Sequence, residues 1–219
     1  MLPTLLLWLE SLSASRAPQL AAGLALCGMA LLIAGDHPLA VLAFLAQRVM
    51  VMGLLWSAIG LPLGSATAVA SAAVALILAL AELRLWSARR GVGRNAHWSA
   101  PSRSGLAVRV LAAALALLLT NGLVQTVALD LLSYAVTFPS VALLVSGFLL
   151  LLLSGGALQT ALGVFAVSDA LRVLYAAWQP DPLVWGIWAA CDVLVALGAS
   201  HLRDVELATS EGGAAGGSR

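Results

Sequence analysis

The chain has no lysine at all, and across its 219 residues only 10% are charged. So thin a charge cannot solvate the surface of a soluble domain of this size, and the one arginine-rich run, residues 87–104, is too short and glycine-rich to read as a nucleic-acid patch. Cysteine is nearly missing too. Cys27 and Cys191 both lie in apolar runs, and no Cys-x-x-Cys or Cys/His cluster occurs, so the chain offers no ligand set for an iron–sulfur, zinc or nickel centre. His37, His97 and His201 are far apart and fall at or outside the ends of the apolar runs. Alternating polar and apolar strands are absent, which excludes a membrane barrel. No nucleophile and base stand at usable spacing in the apolar segments, so the chain carries no catalytic centre of its own, and no cofactor is expected.

What remains is 62% hydrophobic, with a mean hydropathy of +1.01. Several runs are long enough to cross a hydrocarbon core of roughly 30 Å as helices. The expected fold is all-α, a polytopic bundle of about seven transmembrane helices in contact with the lipid bilayer.

Residues 1–16 open with MLPTLLLWLE, too short to span, and read as an interfacial segment anchored by Trp8. A cleaved signal peptide is the rival, without its usual basic start. Residues 17–86 supply three spans. The first, Pro18 to Ala34, stops at Gly35-Asp36-His37-Pro38. The second runs over Leu39–Gly60, and the third over Leu61–Trp86 is rich in the small residues that let helices approach closely. Residues 87–104 form a basic loop with Arg89, Arg90, Arg94 and Arg103, which the positive-inside bias places in the cytoplasm. Residues 105–137 hold the fourth helix, with Asn121, Gln125 and Asp130 toward its far end, and an outer connection. Residues 138–204 make a three-helix module: a span after Pro139, one from Ala157 to Trp178 and one from Leu183 to Leu202. Residues 205–219 read as a disordered tail. With the arginine loop inside, seven spans put the N-terminus outside and the C-terminus inside.

Five polar residues interrupt these spans. Gln47 and Arg48 sit in the second, with Arg48 ten residues past Pro38 and so about 15 Å deep at the helical rise. Asp169 and Arg172 share a face of the sixth at i, i+3 spacing and can pair within their own helix. Asp192 in the seventh has no cation three or four residues away. It lies ten residues past Pro182, about 15 Å deep, while Asp169 lies twelve past Ala157, about 18 Å deep. Asp192 is therefore either protonated or faces Arg48, Arg172 or a neighbouring subunit. Ionisable groups at that depth are costly, and both a structural pairing and a role in an ion pathway account for them.

Two stretches, FLAQRVMVMGLLW and ALGVFAVSDALRVLYAAWQPDPLVWGIWAACDVLVAL, resemble a known family. The last three spans resemble the K-type subunit of respiratory complex I, in which two successive helices each carry a mid-membrane carboxylate. The whole chain resembles the hydrogenase-4 component E family, membrane subunits of group 4 nickel–iron hydrogenases and formate hydrogenlyases. The resemblance implies a non-catalytic membrane-arm subunit of an energy-converting assembly in a bacterial or archaeal cytoplasmic (inner) membrane, partnered by antiporter-like subunits. It implies a proton pathway through Asp192, Asp169, Arg172, Arg48 and Gln47. Asp192 falls at the family's last-helix carboxylate. The other acidic position falls near Phe165 or Ser168, and this chain offers Asp169, shifted round the helix. The alternative reading is a free-standing small-solute transporter with seven helices, although no internal repeat links the first three spans to the last three.

Overall fold

The computed structural model describes residues 19–34, 38–91, 103–126, 134–178 and 181–216. The interfacial segment, most of the basic loop and Asp130 lie outside the described residues. The elements are α1 (Gln19–Ala34), α2 (Pro38–Gly91), α3 (Arg103–Thr126), α4 (Tyr134–Leu153), α5 (Ala157–Ala176) and α6 (Pro182–Gly216). Among the described residues there is no strand. Six segments are long and apolar enough to cross a membrane: Leu39–Trp56 and Gly64–Arg84 within α2, then one each in α3, α4, α5 and α6. With the shorter apolar α1 they make seven, as the sequence predicts.

Helix α2 is one 54-residue element that doubles back on itself. Drawn straight, it would separate Met52 from Ser71 by about 28 Å, yet the Ser71 hydroxyl lies 3.9 Å from the Met52 sulfur. Two further contacts agree. Arg48 reaches Asp192 on α6, and Glu82 pairs with Arg203 on the same helix, which a straight α2 could not do. The chain reverses between Trp56 and Gly64, where Gly60-Leu61-Pro62 weakens the helical hydrogen-bond ladder. Two antiparallel arms result, dividing where the sequence places the boundary between the second and third spans.

The α4–α5 hairpin is set by its three-residue connection. The Ser154 hydroxyl donates to the Leu151 carbonyl at 2.8 Å, and the Gly155 N–H donates to Gln159 Oε1 at 3.0 Å, so both helix ends find partners. Eight residues either side of Gly155, Gly147 and Gly163 meet where the two helices touch most closely. A Cβ on Gly147 would lie 2.8 Å from Val167 Cγ2 and 3.0 Å from the Gly163 carbonyl oxygen, and one on Gly163 would lie 2.8 Å from Leu151 Cγ and 3.1 Å from the Gly147 carbonyl oxygen. At both positions the nearby carbonyl oxygen belongs to backbone, which cannot yield as a side chain can. Gly147→Ala and Gly163→Ala are each expected to cost about 1–3 kcal/mol, while Gly155→Ala, with open space around it, stays near wild type. Thermal unfolding of the three variants in mild detergent checks the contrast.

Three boundaries differ from the sequence reading. Helix α4 begins at Tyr134 and takes Pro139 inside it; the proline gives up its ladder bond to residue 135, and the Ser140 hydroxyl donates to the adjacent Val136 carbonyl at 2.7 Å. Helix α2 extends to Gly91, five residues into the expected loop. Helix α6 extends to Gly216 through most of the expected tail, since an established helix propagates readily through Leu, Ala and Glu.

The core is in two halves. One contains Leu31, Phe44, Val74, Leu162, Phe165 and Ala196. The other contains Leu24, Val51, Leu55, Ala170, Val173 and Trp185. Each half draws on α1, the first arm of α2, α5 and α6. Between them lies the layer that holds the charged side chains.

Candidate functional site

Three helices bring all five predicted site residues together. Gln47 and Arg48 come from the first arm of α2, Asp169 and Arg172 from α5, and Asp192 from α6. The turn before α6 aligns the last of these. Asp181 caps the helix by accepting the Leu183 N–H at 2.9 Å, and Pro182 occupies the first helical position, where its missing N–H costs nothing. Burial is nearly complete: relative exposure is 0% for Gln47 and Asp169, 4% for Arg48 and Asp192, and 5% for Arg172.

Asp192 is the hub. Its Oδ2 accepts from Arg48 Nη1 at 2.9 Å and from Arg172 Nη1 at 2.8 Å. Asp169 Oδ1 lies 3.0 Å from Arg48 Nη1 and 3.7 Å from Arg172 Nη1, and Gln47 Nε2 donates to Asp169 Oδ2 at 3.4 Å. Arg172 Nη2 donates to the Trp188 carbonyl at 3.0 Å. Two guanidinium groups thus face two carboxylates, and the formal charges cancel. In a low-dielectric interior each ion carries a desolvation penalty of several kcal/mol, and close opposite charges with satisfied hydrogen bonds are what offset it.

The pair that Asp169 and Arg172 can form within α5 is not self-contained. At 3.7 Å it is the longest of the four ion contacts, and both arginines lean across to α6. Arg172 projects back toward the start of its helix, as helical side chains do, and the nearest strong acceptors there include Asp192 and the Trp188 carbonyl.

Aromatic rings close the cluster on both sides. The Phe44 and Phe165 rings stand 5.3 Å apart, and the Arg48 guanidinium carbon sits 5.1 Å and 5.0 Å from their centroids. The Arg172 guanidinium carbon is 5.8 Å from the Trp188 ring, which meets Tyr175 and Trp185 edge-on. Such placement is favourable for a cation removed from water. Sequence reasoning misses these rings, although a signal is present. Phe44 precedes Arg48, Phe165 precedes Asp169 and Trp188 precedes Asp192 by four residues each, one helical turn on the same face.

The two arginines are held unequally. Arg172 is tied to α6 through a carboxylate and a backbone carbonyl, whereas Arg48 Nε and Nη2 make no hydrogen bond. Arg48 is the arginine with fewer hydrogen bonds. Among the described residues, no group of three or more His, Cys, Asp or Glu is placed to hold a metal ion. Asn121 and Gln125 are exposed on α3. The chain matches no known protein family, no curated protein and no solved structure.

Proposed function

We propose that the chain is a non-catalytic membrane-arm subunit of an energy-converting assembly of the complex I or group 4 hydrogenase kind, in a bacterial or archaeal cytoplasmic membrane. Asp169 and Asp192 are its proton-exchanging groups. The observation that supports this reading is the charge-balanced cluster of two arginines and two aspartates, buried about midway along three membrane-length helices. Apolar side chains would fill the same space at no desolvation cost, so four ionisable groups at that depth point to use rather than support.

The chemistry is exchange of partners. In the closed arrangement both carboxylates are occupied by guanidinium groups. When Arg48 withdraws, the cluster has lost one positive charge, and Asp192 and Asp169, left to share Arg172, take up one proton between them in its place. Return of Arg48 expels it. A neighbouring subunit that moves the first arm of α2 against α5 and α6 would drive this cycle. The second arm of α2, α3 and α6 are largely exposed along their apolar lengths, which leaves surface for antiporter-like neighbours as well as lipid.

Purification from the native membrane in mild detergent, with mass spectrometry of what accompanies the chain, tests the assignment. Antiporter-like subunits with a hydrogenase-like or quinone-reducing arm are expected. A lone homo-oligomer that is stable and moves a solute by itself would overturn it in favour of a transporter.

A further inference from the structure

Four polar atoms of the cluster have no partner: Arg48 Nε and Nη2, Arg172 Nε and Gln47 Oε1. All belong to side chains at least nine-tenths buried. Leaving so many donors and acceptors unpartnered at one place is unusual, since buried polar groups nearly always find a protein or water partner. The four are also complementary. Three are N–H donors and one is an oxygen acceptor, so they cannot be satisfied by any ligand that only donates or only accepts.

We infer that the cluster is a binding site for internal water. A water molecule accepts from a guanidinium N–H and donates to the Gln47 oxygen at once, and buried waters typically make about three such bonds. Other small ligands fit less well. An alkali cation would meet two fixed guanidinium groups within 2.8–3.7 Å of the carboxylate oxygens it needs. An anion would find the arginines already committed to two carboxylates and would leave the site with net negative charge. Neutral water keeps the charge balance and satisfies both kinds of orphan. Gln47 serves both sides: its amide holds Asp169 with one end and offers a water acceptor with the other. The site stands whether or not the chain serves in proton transfer, because it follows from hydrogen-bond satisfaction alone.

Radiolytic hydroxyl-radical footprinting of the full chain in lipid nanodiscs tests it, since radicals born from a bound water oxidise the side chains beside it. Phe44 and Phe165 are fully buried against Arg48, and Leu24 and Leu143 are fully buried in the other half of the core. With rates normalised for intrinsic reactivity, Phe44 and Phe165 are expected to be oxidised several-fold faster than Leu24 and Leu143, and Gln47→Leu is expected to narrow that difference. Equal rates at all four positions in the unmodified chain, whether all slow or all fast, would overturn the site. A difference that persists unchanged in folded Gln47→Leu would remove Gln47 from the water's partners and overturn a site built on its amide oxygen. Neither result depends on what the chain co-purifies with.

Discussion

Arg172→Leu is expected to destabilise the purified chain by about 3–5 kcal/mol, the range found when one partner of a buried ion pair is removed. Arg172 is the most heavily bonded member of the cluster, with Asp192 at 2.8 Å, the Trp188 carbonyl at 3.0 Å and Asp169 at 3.7 Å. Its loss leaves two carboxylates against one guanidinium in a site with almost no access to solvent, so the cost comes mainly from an uncompensated buried charge. The double variant Arg172→Leu with Asp192→Leu restores the balance. It is expected to lie closer to wild type than Arg172→Leu alone, because replacing both members of a buried pair by apolar groups can be nearly neutral. The two residues share a hydrogen bond, so their effects are expected not to add. Thermal unfolding in mild detergent measures both. A loss below about 1 kcal/mol in the single variant, the scale of an exposed pair, would mean that the cluster is open to bulk water.

Much of this architecture is legible before any coordinates. Apolar run lengths locate the spans, and counting residues from Pro38, Ala157 and Pro182 places Arg48, Asp169 and Asp192 at a common depth. What run length cannot convey is rotation about each helix axis, which is decided by side-chain packing against neighbours. Four possibilities for Asp192 therefore remain open in the sequence, and in the structure both Arg48 and Arg172 reach it. The same limit hides the aromatic rings. Phe44, Phe165 and Trp188 look like ordinary apolar positions until the three faces that carry them turn toward one another. Two helix ends outrun the sequence expectation for a different reason. Hydropathy falls at Ser87 and after Val205, where the apolar face ends, but the backbone ladder runs on to Gly91 and Gly216 because helix propagation needs no burial once a turn exists.

Asp192→Asn has the other large expected effect. The amide keeps the shape of the side chain and can still accept from Arg48 or Arg172, but it cannot exchange a proton at neutral pH. If Asp192 is the hub of a relay, loss of its titrating group stops transfer at the point where Arg48 and Arg172 converge, and no other residue of the cluster stands within reach of both at 2.9 Å or less. Net proton translocation is expected to fall by about tenfold or more, in keeping with the removal of a positioned acid–base group. The measurement that tests this most directly is proton uptake by vesicles containing the assembled complex with Asp192→Asn. Mass spectrometry on the same preparation establishes that every subunit is retained. Translocation is expected to collapse while the complex stays whole. Translocation at the wild-type rate in an intact complex would contradict the relay and leave Asp192 as a residue that only holds α2, α5 and α6 together.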